Sequence, residues 1–156
     1  MNGFAKGWAM TGWRLGWLAG SKPVIAAATA LQSQSTSNVC SFAQYGALAA
    51  ITAPRDCVHA MAEQFNQRRA LLSDGLIAMP GLKLQPPEGA FYAFPDVSHY
   101  QLDSMTLCNR LLDEVGLAVV PGVAFGDDRC IRLSCAASPA TIEDGLERLR
   151  RFLASL

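Results

Sequence analysis

Histidine is scarce in this chain: there are two in 156 residues, His59 and His99, and neither has a partner pattern around it. That leaves a zinc site improbable and gives a Ser-His-Asp or Cys-His triad no supporting motif. The five cysteines (Cys40, Cys57, Cys108, Cys130 and Cys135) contain no C-x-x-C pair. They read as reduced, mostly buried thiols of a cytoplasmic protein. Charge of one sign is lacking too: 13 basic residues balance 13 acidic ones, so nothing points to nucleic acid or to an acidic surface. Long hydrophobic runs are absent. The longest small-apolar stretch, Val24 to Leu31, is far too short to cross a bilayer, and no membrane partner is expected. Met1 leads straight into glycine-rich sequence rather than a basic and then an apolar run, so no secretory leader is expected. No nucleotide-binding loop, metal-binding helix motif, internal repeat or low-complexity tract is visible. What remains is a chain that is half hydrophobic and long enough for one ordinary domain with a sizeable core.

The informative stretch is Asn2-Gly3-Phe4-Ala5-Lys6-Gly7-Trp8-Ala9-Met10-Thr11-Gly12-Trp13-Arg14-Leu15-Gly16. A lysine amine forms an imine with a carbonyl compound only when unprotonated, which calls for a partly desolvated pocket with cationic neighbours. Arg14 is such a cation, and its planar fork suits a phosphate. Gly3, Gly7, Gly12 and Gly16 are expected to allow turns and close approach of backbone to a ligand. Together these residues suggest an aldehyde carrying a phosphate, held by Lys6 at one end and Arg14 at the other. Taken from spacing alone, two solvated surface cations are the plainer alternative.

The run from Asn2 to Trp17 closely resembles the lysine segment of class I pyridoxal-phosphate aminotransferases, most nearly the bacterial aspartate/aromatic branch. The resemblance implies pyridoxal 5'-phosphate as cofactor, Lys6 as the catalytic residue bonded to its aldehyde, and Arg14 as the grip on its phosphate. Many relatives carry a serine next to the lysine or three residues before it. Here those positions are Ala5 and Gly3, so one hydroxyl contact is expected to be missing. The resemblance covers essentially the whole chain but only the C-terminal portion of the family, so Met1 reads as the start of a truncated frame. It implies an α/β fold: the end of the large-domain sheet and its helices over 1–51, then a long connecting helix and an α+β small domain over 52–156. It also implies that the acid at the cofactor's ring nitrogen, its neighbouring asparagine and tyrosine, and a phosphate-supporting helix start precede the lysine. The full-length parent is expected to be a homodimer acting on small-molecule partners, an amino acid and a 2-oxo acid. A lyase on the same scaffold and a non-catalytic remnant are the alternatives.

The pattern predicts a short strand over 13–18 in a sheet covered on both faces. Ser21 and Pro23 predict a helix from Pro23 to Gln32. The polar stretch 32–38 reads as a loop, although it also resembles a family segment near the subunit interface. A second helix is expected over 39–51, capped by Ser37 or Asn38. The longest helix is expected over 54–79, with Val58, Met61, Ala62, Phe65, Leu72, Leu76 and Met79 inward and Arg68 and Arg69 solvated. Short strands are expected at 82–84 and 90–94. A helix capped by Ser104 is expected over 105–115, ended by Gly116. Strands at 117–120 and 130–135 precede a last helix over 140–153, introduced by Ser138-Pro139.

Arg132, in Cys130-Ile131-Arg132-Leu133-Ser134-Cys135, lies within a strand of apolar and small residues, where a cation is costly unless paired. The segment resembles the family strand whose arginine clamps the substrate α-carboxylate. A structural ion pair with a neighbouring acid is the alternative. Arg129 is expected to be solvated in a turn. Phe91, Tyr92 and Phe125 lie in segments resembling those that close over substrate and exclude water; plain core packing is the other reading.

Overall fold

The computed structural model describes residues 1–156. They form two compact units, Met1–Ala60 and Met61–Leu156.

The first unit opens with two short antiparallel strands, β1 (Asn2–Gly3) and β2 (Gly16–Trp17), paired Asn2 to Trp17 and Gly3 to Gly16. The strand expected over 13–18 thus shrinks to two exposed residues, because Thr11–Trp13 coils into a 3₁₀ turn and Arg14 takes a left-handed backbone. Helix α1 (Lys22–Ser35) starts with Pro23 in its first turn, where a missing N–H costs nothing. It runs three residues beyond the expected end, so part of the polar stretch is helical rather than loop. Helix α2 (Ser41–Thr52) begins after Cys40, with no side-chain cap from Ser37 or Asn38. Of its residues only Ala43 is buried.

Helix α3 (Asp56–Ile77) is the longest, and the division between the units falls inside it. Leu72, Leu76 and Met79 are buried and Phe65 packs against the same core, whereas, against expectation, Val58 and Met61 are only half-buried and Ala62 is exposed. Arg68 and Arg69 depart from expectation, being half-buried rather than solvated. Arg69 donates to the Pro87 carbonyl and to Asn66 Oδ1, and Arg68 lies over the Phe65 ring, so both cover the loop and ring beside them with their stems.

The second unit is built on a three-stranded antiparallel sheet of order β3 (Tyr92–Ala93), β5 (Ile131–Ser134), β4 (Val120–Pro121). The strand expected at 82–84 is reduced to a single bridge between Lys83 and Asp96. Pro95 and Pro121 lack the N–H that a longer ladder needs, which keeps the strands short. Helices α4 (Ser104–Val115) and α5 (Pro139–Leu153) supply Leu107, Leu111, Ile142, Leu146, Leu149 and Phe152 to the core. Asp103, not Ser104, caps α4, accepting from Thr106 N at 2.8 Å. Gly116 ends that helix at φ 64°, and Ser138 caps α5 through Thr141 N, both as the sequence predicts.

The register sorts the sheet's side chains. Tyr92 stands opposite Ser134, and Ala93 opposite Leu133. Ala93, Ile131 and Leu133 therefore face the core, while Tyr92, Phe94, Arg132 and Ser134 share the other face.

Candidate functional site

In the first unit, Lys6 and Arg14 lie on one loop whose two ends are tied together. The tie is the β1–β2 pairing plus a hydrogen bond from Phe4 N to Leu15 O at 3.4 Å. Inside the loop, Phe4 and Met10 are buried, and Met10 N donates to Phe4 O at 3.3 Å. The Trp8 ring stacks obliquely on Phe4 at 5.1 Å, and its Nε1 donates to Ala50 O at 2.9 Å, fastening the loop to the end of α2. Apolar residues thus alternate with functional ones so that the former root the loop and the latter stay accessible. Lys6 is exposed, and its carbonyl accepts from Ala9 N at 3.1 Å. Arg14 is also exposed, with Nη1 donating to Thr11 O at 3.0 Å.

Two expectations change here. The left-handed backbone falls on Ala9 (φ 54°) and Arg14 (φ 53°), not on the motif glycines. A non-glycine residue in that region costs free energy and is held there by its surroundings, in this case the tied loop. Gly16 does serve close approach, since a Cβ there would stand 2.7 Å from Asn2 O. The second change concerns solvation. The chemistry asked for a partly desolvated pocket around Lys6, whereas the lysine is open to solvent in this chain. The unit's cleft of about 690 Å³ is lined by Phe4, Trp8, Leu15, Trp17, Leu48 and neighbours, without Lys6 or Arg14.

Arg132 belongs to the second unit. Its guanidinium carbon lies 4.3 Å from the centre of the Tyr92 ring and 4.5 Å from that of Phe125. It is half-buried and joins none of the ion pairs, so the structural-pair alternative is not what this chain uses. Phe125 ends the 3₁₀ turn Gly122–Phe125, which is anchored from below. Val123 N donates to Ser104 Oγ at 3.2 Å, and that buried hydroxyl donates to Asp128 Oδ1 at 2.6 Å. Arg129 is exposed but not merely solvated. Its side-chain hydrogen bonds to Asp127 hold that carboxyl down at about 2 and push the guanidinium's own pKa further up. Burial pushes the Cys108 thiol up to about 11, and it raises Cys130 and Cys135 as well. Those three cysteines are buried as expected, whereas Cys40 and Cys57 are exposed.

Sequence reasoning named Tyr92, Phe125 and Ser104 but assigned none of them to Arg132. The available signal was alternation: with Ile131 and Leu133 inward, Arg132 must face the other way and meet what the neighbouring strand presents there.

Comparison with known proteins identifies the scaffold. The model of the family "Aminotransferase class I and II" matches residues 1–149. The chain belongs to that family. A bifunctional aspartate aminotransferase and glutamate/aspartate-prephenate aminotransferase from Petunia hybrida is 43% identical over 100% of this chain and 35% of its own length. The aspartate aminotransferase of Bacillus subtilis (strain 168) is 42% identical over 98% of the chain and 40% of itself. Among solved structures, the aspartate aminotransferase of Rhizobium meliloti superposes with a TM-score of 0.94 at 36% identity, over 97% of this chain and 40% of that one. The aromatic aminotransferase of Pyrococcus horikoshii OT3 also gives 0.94 at 36% identity, over 98% and 42%. The fold is the mixed α/β fold of the type I pyridoxal-phosphate aminotransferases, and this family implies that cofactor. The chain spans about 35 to 40% of the length of these curated relatives. None of its helices is long and apolar enough to cross a membrane.

Proposed function

We propose that the chain is the C-terminal portion of a pyridoxal-phosphate-dependent aminotransferase of the aspartate/aromatic type. Residues 1–51 then close the large cofactor domain, and 52–156 form the connecting helix and small domain. The full-length parent exchanges an amino group between an amino acid and a 2-oxo acid, as a homodimer in a reducing compartment. The observation that carries this reading is that Lys6 and Arg14 share one tied loop in a chain of this family.

The donor set fits the cofactor. The loop offers one amine for an aldehyde and one guanidinium for a phosphate, both accessible, and Arg14 commits only Nη1 to the Thr11 carbonyl. When bound, pyridoxal phosphate supplies the electron sink that makes a substrate α-proton removable. Lys6 holds the cofactor through its Nζ and afterwards moves the proton at the substrate α-carbon. Arg14 grips the phosphate with its remaining N–H donors. Arg132 receives the α-carboxylate with its fork, and Phe91, Tyr92 and Phe125 keep water from it. The walls that desolvate Lys6 and the acid at the ring nitrogen come from the remainder of the parent fold.

Accordingly, the isolated chain should turn over aspartate and 2-oxoglutarate hardly at all. The same chain supplied with the remainder of a full-length relative should transaminate, and Lys6→Ala in that complex should abolish it. Equal turnover with and without the remainder would contradict the reading. Release of pyruvate and ammonia in place of amino transfer would indicate lyase chemistry instead.

A further inference from the structure

Arg132 is unusual among the arginines of the second unit. Arg110, Arg129, Arg148, Arg150 and Arg151 each pair with a carboxylate, Arg69 donates to Pro87 and Asn66, and Arg68 lies over a single ring, 5.6 Å from the centre of Phe65. Arg132 instead has two aromatic rings against it and no hydrogen-bonded acid. The rings come from different parts of the chain, Tyr92 from β3 and Phe125 from the 3₁₀ turn after β4. Each is itself braced by another ring: Phe91 lies 4.4 Å from Tyr92, and Phe94 meets Phe125 edge-on at 6.0 Å. The turn bearing Phe125 is tied down by the Val123–Ser104–Asp128 hydrogen bonds.

A planar guanidinium interacts with rings through its face and with oxyanions through its edge. Rings fix where the group sits without consuming its N–H donors, whereas a carboxylate neighbour would consume them and neutralise the charge. We propose that Tyr92 and Phe125 are positioning residues for Arg132: their rings hold its guanidinium with the donor edge free for the carboxylate of a small organic acid. The proposal rests on the carboxylate-binding reading of Arg132. It adds that affinity there depends on two side chains that do not touch the ligand's charge. Rings leave the arginine less side-chain freedom to lose on binding, which is where the gain arises.

The test follows the Arg132 Nε–Hε resonance by NMR in the full 156-residue chain, titrated with succinate as probe. In the ligand-free protein that proton should be shifted by ring currents, and Phe125→Leu should move it towards the position of a solvated arginine. Succinate should shift the resonance saturably, and Arg132→Gln should bind none. Tyr92→Leu and Phe125→Leu should each weaken binding about three- to tenfold, while Tyr92→Phe should bind as the parent chain does. Should Tyr92→Leu fail to fold, Phe125→Leu decides, because that ring is already 49% exposed. Unchanged affinity in the leucine variants would overturn the positioning role and leave the carboxylate reading standing. No succinate response in the parent chain would overturn the carboxylate reading and the positioning role with it.

Discussion

Ser104 shows how one small side chain orders a whole loop. It is fully buried, its hydroxyl reaches Asp128 at 2.6 Å, and Val123 N reaches it at 3.2 Å. Ser104→Ala leaves the partly buried Val123 N–H without its acceptor, while Asp128 Oδ1 keeps the backbone N–H of residue 104, and the loss costs about 1–3 kcal/mol. Urea unfolding should show a correspondingly lower midpoint, and no measurable change would mean that water replaces the hydroxyl. Asp127 provides the pH signature. Its carboxyl sits at about 2 because it accepts from Arg129, against an ordinary 3.8. A depressed carboxyl contributes stability above its unfolded pKa and loses it as pH falls through the folded one. Asp127→Asn should therefore flatten the acid limb between about pH 4 and pH 2, read as unfolding midpoint against pH. An unaltered limb would assign it elsewhere, to Asp96 and Asp103, whose carboxyls are lowered as well. At this scale the sequence was legible where a residue acts on its own helix, as with Ser138 and Gly116. It misled at Ser104, because Asp103 took the cap and the serine hydroxyl was committed to residues about twenty positions away.

At the scale of elements, the connection between β4 and β5 is the tightest place in the second unit. Gly122 N donates to Cys130 O at 2.9 Å, and a Cβ on Gly122 would lie 2.2 Å from both Asp127 O and Cys130 O. Those are backbone atoms, so the clash is relieved only by opening the turn that carries Phe125. Gly122→Ala should cost about 2–3 kcal/mol and loosen Phe125 from Arg132, seen as loss of the ring-current shift on the arginine. A variant as stable as its parent would show that the turn has slack. Helices were legible because apolar spacing and termini signals agree over many residues, as in α3, α4 and α5. The strands at 117–120 and 130–135, marked by Val, Ile and Leu, were legible as existing but not as bounded, whereas the run at 82–84 yields only a bridge and β1 was not expected. The ladder that defines their ends depends on partners remote in sequence and on Pro95 and Pro121. Arg68 and Arg69 were misplaced for a related reason, since helical spacing says nothing about the loop at Pro87 that the arginine covers.

The two units differ in how much they bury. The second has its own apolar core from α3, the sheet, α4 and α5, while the first buries only Phe4, Met10 and Ala43 among its hydrophobic residues. Leu31, Phe42 and Tyr45 are more than 70% exposed. The candidate site divides the same way. The motif predicts Lys6 and Arg14 on one stretch, and both lie on one tied loop, but Lys6 is open to solvent there rather than enclosed as the imine chemistry asks. The account's central claim is that Lys6 is the amine meant for the cofactor's aldehyde. Its most direct test is borohydride reduction of the chain after incubation with pyridoxal phosphate and the remainder of a full-length relative, followed by peptide mapping. The account predicts reduced adduct on Lys6, diminished by Arg14→Ala through loss of the phosphate grip; adduct spread equally over Lys22 and Lys83 would contradict it.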